Sequence, residues 1–210
     1  MSKIQLKVQN LAKAFLLKKV FENLSFELTP GCYAILGPIG SGKSTLLSLL
    51  AGSISPDRGI ITINGVSLEK RPVRAKKYLS YVPEGVHVYP FMTGHELINF
   101  IRCVKRRALS SETEKLLFEF GIKENLSQAF NQMTVETQRK CLIAAATLGN
   151  PDIYIFDQPT QELSDEAKDT LAEYLLTLQD KKIVIIVSSD MNFVNSLEAK
   201  KLSLDLNSLC

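Results

Sequence analysis

The chain has 210 residues, 45% hydrophobic and 22% charged, enough to bury a substantial core in one domain with or without a small subdomain. A net charge of +3 leaves room for anionic ligands but lacks the strong basic stripe of a nucleic-acid binder. No window approaches the roughly 18 uninterrupted apolar residues of a membrane span, and "MSKIQLKVQN" lacks the charged-then-apolar layout of a secretory leader, so a cytoplasmic chain is expected.

In chain order, "KIQLKVQNL" (3–11) and "VFENLSFEL" (20–28) alternate apolar and polar residues, which predicts half-buried antiparallel strands. "CYAIL" (32–36) is a continuous apolar run before a glycine-rich turn, and "KSTLLSLLAG" (43–52) is an apolar helix closed by Gly52. "GIITINGVSL" (59–68) carries Asn64-Gly65 between apolar runs, a hairpin signal. "YLSYV" (78–82) reads as a strand. From about 92 to 150 apolar residues recur at three- and four-residue intervals in "GHELINFIRCV", "SSETEKLLFEFG" and "VETQRKCLIAAATLG", with Ser110 or Ser111 as an N-cap. Strand "IYIFD", helix "DEAKDTLAEYLLTL", strand "KIVIIVSS" and a last strand "KKLSLDL" (200–206) follow. Alternating strands and helices around near-continuous apolar strands predict an α/β fold with a central parallel sheet, the helical stretch being an insertion. The basic stretches "EKRPVRAKK" (69–77) and "RCVKRR" (102–107) read as solvated faces. Cys32, Cys103, Cys141 and Cys210 lack metal or disulfide spacing, and buried free thiols are expected at Cys32 and Cys141.

"GPIGSGKST", Gly37 to Thr45, fits G-x-x-x-x-G-K-[ST] between a strand and a helix, the context the motif requires. The turn through Gly37, Pro38, Gly40, Ser41 and Gly42 aims backbone N–H groups at phosphates, and the following helix N-terminus adds positive potential. Lys43 reaches the β- and γ-phosphates, Ser44 ligates Mg²⁺, and Thr45 completes the motif. A nucleoside triphosphate with Mg²⁺ is the expected ligand.

These motifs, and nearly the whole chain, resemble the ATP-binding cassette (ABC) subunits of membrane transporters. The resemblance implies a P-loop NTPase with a RecA-like parallel core, an N-terminal antiparallel β subdomain and a helical subdomain at about 92–150, all one nucleotide-binding domain over 1–210. In "NLAKAF" it sets Phe15 where the family stacks an aromatic on adenine; a core aromatic is the alternative. "YLSYVPEGVHVYPFMTGHELINF" (78–100) is similar to the segment joining sheet and helical subdomain in the drug-resistance and gliding-type branch. There Glu84 takes the position of a glutamine that approaches Mg²⁺ and relays nucleotide state. The helical subdomain in relatives docks on a membrane permease. The expected location is therefore the cytoplasmic face of a membrane, peripherally bound.

Other positions depart from the family pattern. The signature loop L-S-G-G-Q falls on "MTVET", with Thr134 on the serine, or one residue earlier on "QMTVE"; the first register keeps the apolar spacing of "CLIAAAT". Both glycines are gone. Val135 and Glu136 add bulk, and Glu136 a like charge, where a neighbouring subunit's γ-phosphate would bind in trans. By the same resemblance Asp157 takes the place of the magnesium aspartate, but Gln158 replaces the glutamate that activates water, Ser164 stands where an aspartate crosses the dimer interface, and Ser189 replaces the switch histidine. ATP binding with impaired or slow hydrolysis is the implied outcome, a slow but real ATPase being the alternative. Implied partners are an integral membrane permease and a second ABC subunit, as homo- or heterodimer. A soluble, non-transport regulator or assembly factor on the same fold is the competing function. Ribosomal and DNA-repair relatives carry tandem cassettes or a long coiled coil, so no nucleic-acid partner is expected. A P-loop kinase or GTPase fits less well, because no guanine-specifying "NKxD" follows the last magnesium strand.

Overall fold

The computed structural model describes residues 4–16, 18–204 and 208–209. Lys3 of the first predicted strand, residues 205 and 206 of the last, and Cys210 lie outside them. In chain order the strands are β1 (Leu6–Phe15), β2 (Lys18–Leu28), β3 (Gly31–Leu36), β4 (Arg58–Ile63), β5 (Val66–Ser67), β6 (Leu79–Val82), β7 (Ile153–Asp157), β8 (Ile183–Val187) and β9 (Lys200–Ser203). The helices are α1 (Lys43–Leu50), α2 (Pro72–Ala75), α3 (Gly94–Lys105), α4 (Ser111–Glu119), α5 (Val135–Ala146), α6 (Asp165–Leu176) and α7 (Met191–Ser196).

Two sheets form. An antiparallel one has the order β2-β1-β4-β5, and a five-stranded parallel one the order β6-β7-β8-β3-β9. The edge strand β9 is mostly exposed, whereas strands β3, β6, β7 and β8 are largely buried on both faces, which explains their apolar runs. Period-two alternation divides each between two cores. Tyr154, Phe156, Val184 and Ile186 face a core shared with α3, α4, α5 and α6. Ile153, Ile155, Ile183 and Ile185 face one shared with α1 and the antiparallel sheet. Cys32 and Cys141 are buried and Cys103 is exposed; burial pushes both buried thiols up to about 12, as expected of inert core residues.

The elements read from the sequence are present, with differences at their edges. Asn64 and Gly65 turn the β4–β5 hairpin with φ of 50° and 75°, the left-handed pair that a two-residue loop demands. Ser110, not Ser111, caps α4 by accepting from the Thr113 N–H. Thr93 and Glu96 close a capping box on α3, whose T-x-x-E signal stands in the sequence. The short helices α2, with Pro72 in its first turn, and α7, capped by Asp190, carry no periodicity long enough to read. The 92–150 stretch contains α3, α4 and α5, with two 3₁₀ turns between α4 and α5. No helix of the described residues is long and apolar enough to cross a membrane.

Candidate functional site

In an open parallel α/β sheet, ligands bind beyond the carboxyl ends of the strands. Those ends are Leu36 of β3, Val82 of β6, Asp157 of β7 and Val187 of β8, the last two paired in register. Beyond them lies an open cleft of about 500 Å³ whose lining includes Phe15, Lys43, Ser44, Thr45, Glu84 and Gln158.

The glycine-rich turn from Gly37 forms one wall. Gly40 and Gly42 adopt φ of 79° and 95°, and a Cβ on Gly42 would fall 2.5 Å from Val20 Cγ1, so backbone and contact both require glycine there. The Ser41 N–H donates to Pro38 O at 3.2 Å, closing the turn. Lys43 donates to Gly37 O at 2.7 Å and Pro38 O at 2.8 Å, folded back on its own loop. Phe15 is 48% exposed, which removes the core-aromatic alternative; Lys13 Nζ lies 5.2 Å from its ring centroid.

Asp157 is 2% exposed, and burial raises its carboxyl above the ordinary range, the Ser44 hydroxyl opposing and Glu84 adding repulsion. Its Oδ1 has no hydrogen-bond partner. A buried carboxylate oxygen left unmatched costs free energy unless something cationic completes it. Glu84 is exposed, lines the cleft and accepts from Gln161 Nε2 at 3.3 Å.

Gln158 follows directly, with φ of 48°. Its Oε1 accepts from the Ser189 N–H at 2.9 Å and from Ser189 Oγ at 3.2 Å. Two residues that depart from the family pattern therefore hold each other. The backbone donor fixes which end of the carboxamide faces Ser189, because only oxygen can accept.

A second pair of departures is joined in the same way. Glu136 Oε1 accepts from Ser164 N at 3.0 Å and Ser164 Oγ at 2.6 Å, and pairs with Lys140 Nζ at 3.0 Å. The Ser164 hydroxyl comes first among the causes that lower the Glu136 carboxyl to about 2. Ser164 sits at the N-cap of α6 but makes no side-chain cap there, its hydroxyl being committed to Glu136. Thr134 caps α5, accepting from the Thr137 N–H at 3.1 Å, and is exposed, whereas Met133 is buried. Of the two registers for the signature loop, only the one on Thr134 offers a hydroxyl at the surface.

A residue outside the motifs read from the sequence proves central. Arg139 of α5 is 1% exposed. One nitrogen, Nη1, donates to Pro83 O (2.5 Å) and Glu84 O (3.1 Å); Nη2 donates to Asp157 O and Gln158 O, both at 2.7 Å. The guanidinium fork ties the ends of β6 and β7 to the helix behind Thr134. Its only sequence signal is a lone arginine on an otherwise buried helix face.

A family profile described as ABC transporter matches residues 21–161. The linearmycin resistance ATP-binding protein LnrL of Bacillus subtilis (strain 168) is 27% identical over 188 residues, 88% of this chain and 60% of that protein. The arginine transport ATP-binding protein ArtM of the same organism is 29% identical over 209 residues, 95% of this chain and 87% of that one. The Nod factor export ATP-binding protein I of Burkholderia lata is 31% identical over 185 residues, 86% and 61% of the two chains. This chain thus spans about three-fifths of two of these relatives. A solved structure described as the ATP-binding subunit of an ABC transporter superposes with a TM-score of 0.85 at 26% identity, covering 97% of this chain and 87% of that one. The phosphate turn, the sheet order and these matches agree, and the chain belongs to the ABC transporter family as an ATP-binding cassette.

Proposed function

We propose that this chain is the ATP-binding subunit of an ABC membrane transporter, one that holds Mg-ATP and couples dimer closure to a membrane permease with weak or absent hydrolysis. The observation that carries the reading is the contrast within one cleft: a glycine-constrained phosphate turn is retained, while the acceptor oxygen of Gln158 is already committed to Ser189. In-line attack on a γ-phosphate needs a water oriented by an acceptor. An amide cannot take up a proton, and this one has its only side-chain acceptor engaged twice.

Mg²⁺ fits the residues present. The orphaned, buried Asp157 Oδ1 and the Ser44 hydroxyl are hard oxygen donors beside a phosphate turn, and Mg²⁺ prefers one or two carboxylates completed by phosphates and water. Asp157, through water, and Ser44 would hold the ion, with Glu84 also lining the cleft, and the ion would supply charge neutralisation for the phosphates. Thr134 would meet the partner's γ-phosphate in trans, with Glu136 beside it opposing close approach.

Support for a membrane partner comes from an apolar groove of about 260 Å³ between β6, α3 and α5, with Phe100 (59% exposed) and Val104 (63%) on its rim. Nearby in sequence, Tyr89 and Phe91 stack at 5.6 Å and are also exposed. Exposed aromatic and aliphatic side chains beside a groove mark an interaction surface. The transported substrate would be set by that partner.

The test combines calorimetric binding of Mg-ATP, phosphate release and size-exclusion with and without ATP. Tight binding, slow release and ATP-dependent dimerisation are expected. Brisk release by the pure protein overturns the hydrolysis half. A chain that stays monomeric in saturating Mg-ATP and co-purifies with no membrane protein favours a soluble regulator instead.

A further inference from the structure

Two basic stretches far apart in sequence, 69–77 and 102–107, meet in the fold. Lys77, in the 3₁₀ turn before β6, joins Lys105, Arg106 and Arg107 at the end of α3 around a pocket of about 180 Å³, with Gly149 of the α5–β7 turn as its fifth lining residue. The reading of both stretches as solvated faces is therefore incomplete. Gly149 has φ of 81°, and a Cβ there would lie 3.1 Å from Lys105 Cδ and 3.4 Å from Arg107 Cγ, so the glycine leaves space for both stems. Arg106 is the C-cap of α3, in the left-handed conformation with φ of 51° that ends many helices.

Among the described residues these cations have no countercharge: the ion pairs involve other lysines, and none of the four meets a carboxylate within 4.0 Å. Lys105 donates to Ser80 Oγ at 2.6 Å and Leu148 O at 2.8 Å, both neutral acceptors, which leaves one of its three donors. Burial alone pulls its ammonium down to about 8, as expected of a cation enclosed without a partner. Cations at a helix C-terminus are favoured by the macrodipole, which accounts for Lys105 to Arg107 on α3. It does not account for Lys77, which arrives from another element, nor for the left-handed glycine that opens the space.

We propose that this pocket binds a phosphate group, carried by a soluble phosphate ester or by an anionic lipid headgroup, at a site separate from the phosphate turn. Lys77 and Gly149 precede the amino ends of β6 and β7, whereas the nucleotide cleft lies past the carboxyl ends of the same sheet. The guanidinium forks of Arg106 and Arg107 match phosphate oxygens in pairs, and Lys77 adds a point charge.

The test keeps the nucleotide cleft filled with saturating Mg-ATP and titrates glycerol 3-phosphate while following the Gly149 and Arg107 amide resonances. In parallel, the protein is sedimented with phosphatidylcholine vesicles with and without phosphatidylglycerol. Lys77→Glu/Arg107→Glu, both exposed positions, should weaken binding at least about tenfold with ATP affinity unchanged, and Lys77→Gln/Arg107→Gln should weaken it less. Loss of vesicle binding in the variants assigns the headgroup; response to glycerol 3-phosphate alone assigns the soluble ester. If the wild type binds neither probe, or the charge-reversed variant binds as well as wild type, the proposal is wrong.

Discussion

Gln158 and Ser189 are 31 residues apart in the chain, yet the Ser189 N–H and Oγ both donate to Gln158 Oε1, at 2.9 and 3.2 Å. Two departures from the family pattern, each readable alone as a lost catalytic group, form one hydrogen-bonded unit. Their effects on turnover should therefore not multiply, because groups acting together are strongly non-additive.

Gln158→Glu tests that unit. A carboxylate at this position would restore a base, and phosphate release measured in single turnover should rise. The same Ser189 donors would hold the new carboxylate, favour its charged form and lower its basicity. The gain should fall short of the ~10²–10⁴-fold typical of a positioned base. Gln158→Glu with Ser189→His should gain more than Gln158→Glu alone. Equal rates for the two variants would dissociate Ser189 from turnover.

Lys43→Ala should abolish Mg-ATP binding in calorimetry, since it removes the phosphate-facing charge that now rests on Gly37 O and Pro38 O. The fold should survive, because Lys43 lines an open cleft where water can replace the ammonium. Retained ATP affinity would place the nucleotide elsewhere.

Arg139→Met should destabilise the protein by about 3 kcal/mol or more in urea unfolding. It strips donors from Pro83 O, Glu84 O, Asp157 O and Gln158 O at once, at a site 1% exposed. Arg139→Lys should recover little, because an ammonium lacks the fork that spans both strand ends. A variant as stable as wild type would mean that those carbonyls find other donors.

Glu136→Gln should alter the acid limb of stability. The carboxyl sits at about 2 against an ordinary 4.5, lowered first by the Ser164 hydroxyl, then by the Ser164 N–H and Lys140. Between those values the unfolded chain binds more protons than the folded one, so stability rises with pH across the window and is lost on acidification. The glutamine retains an acceptor for Ser164 but not the charge. Urea midpoints between pH 3 and 6 should depend less steeply on pH in the variant; an unchanged slope would show that Glu136 is not the titrating group.

The sequence by itself determined whatever depends on near neighbours. The phosphate turn, its flanking strand and helix, the Asn64-Gly65 hairpin and the apolar strands all declare themselves through spacing, periodicity or turn chemistry, which act over a few residues. The departures at Gln158, Ser164 and Ser189 were legible as residue types. Only the tertiary structure decided what those residues touch: that Ser189 occupies the Gln158 oxygen, that Ser164 leaves its own helix uncapped to hold Glu136, that Arg139 spans two strand ends, and that Lys77 stands with Arg107. The physical reason is that a lone donor or acceptor has no period. Its partner is fixed by how distant elements pack, and that packing is driven by apolar burial that does not record which polar groups it brings together.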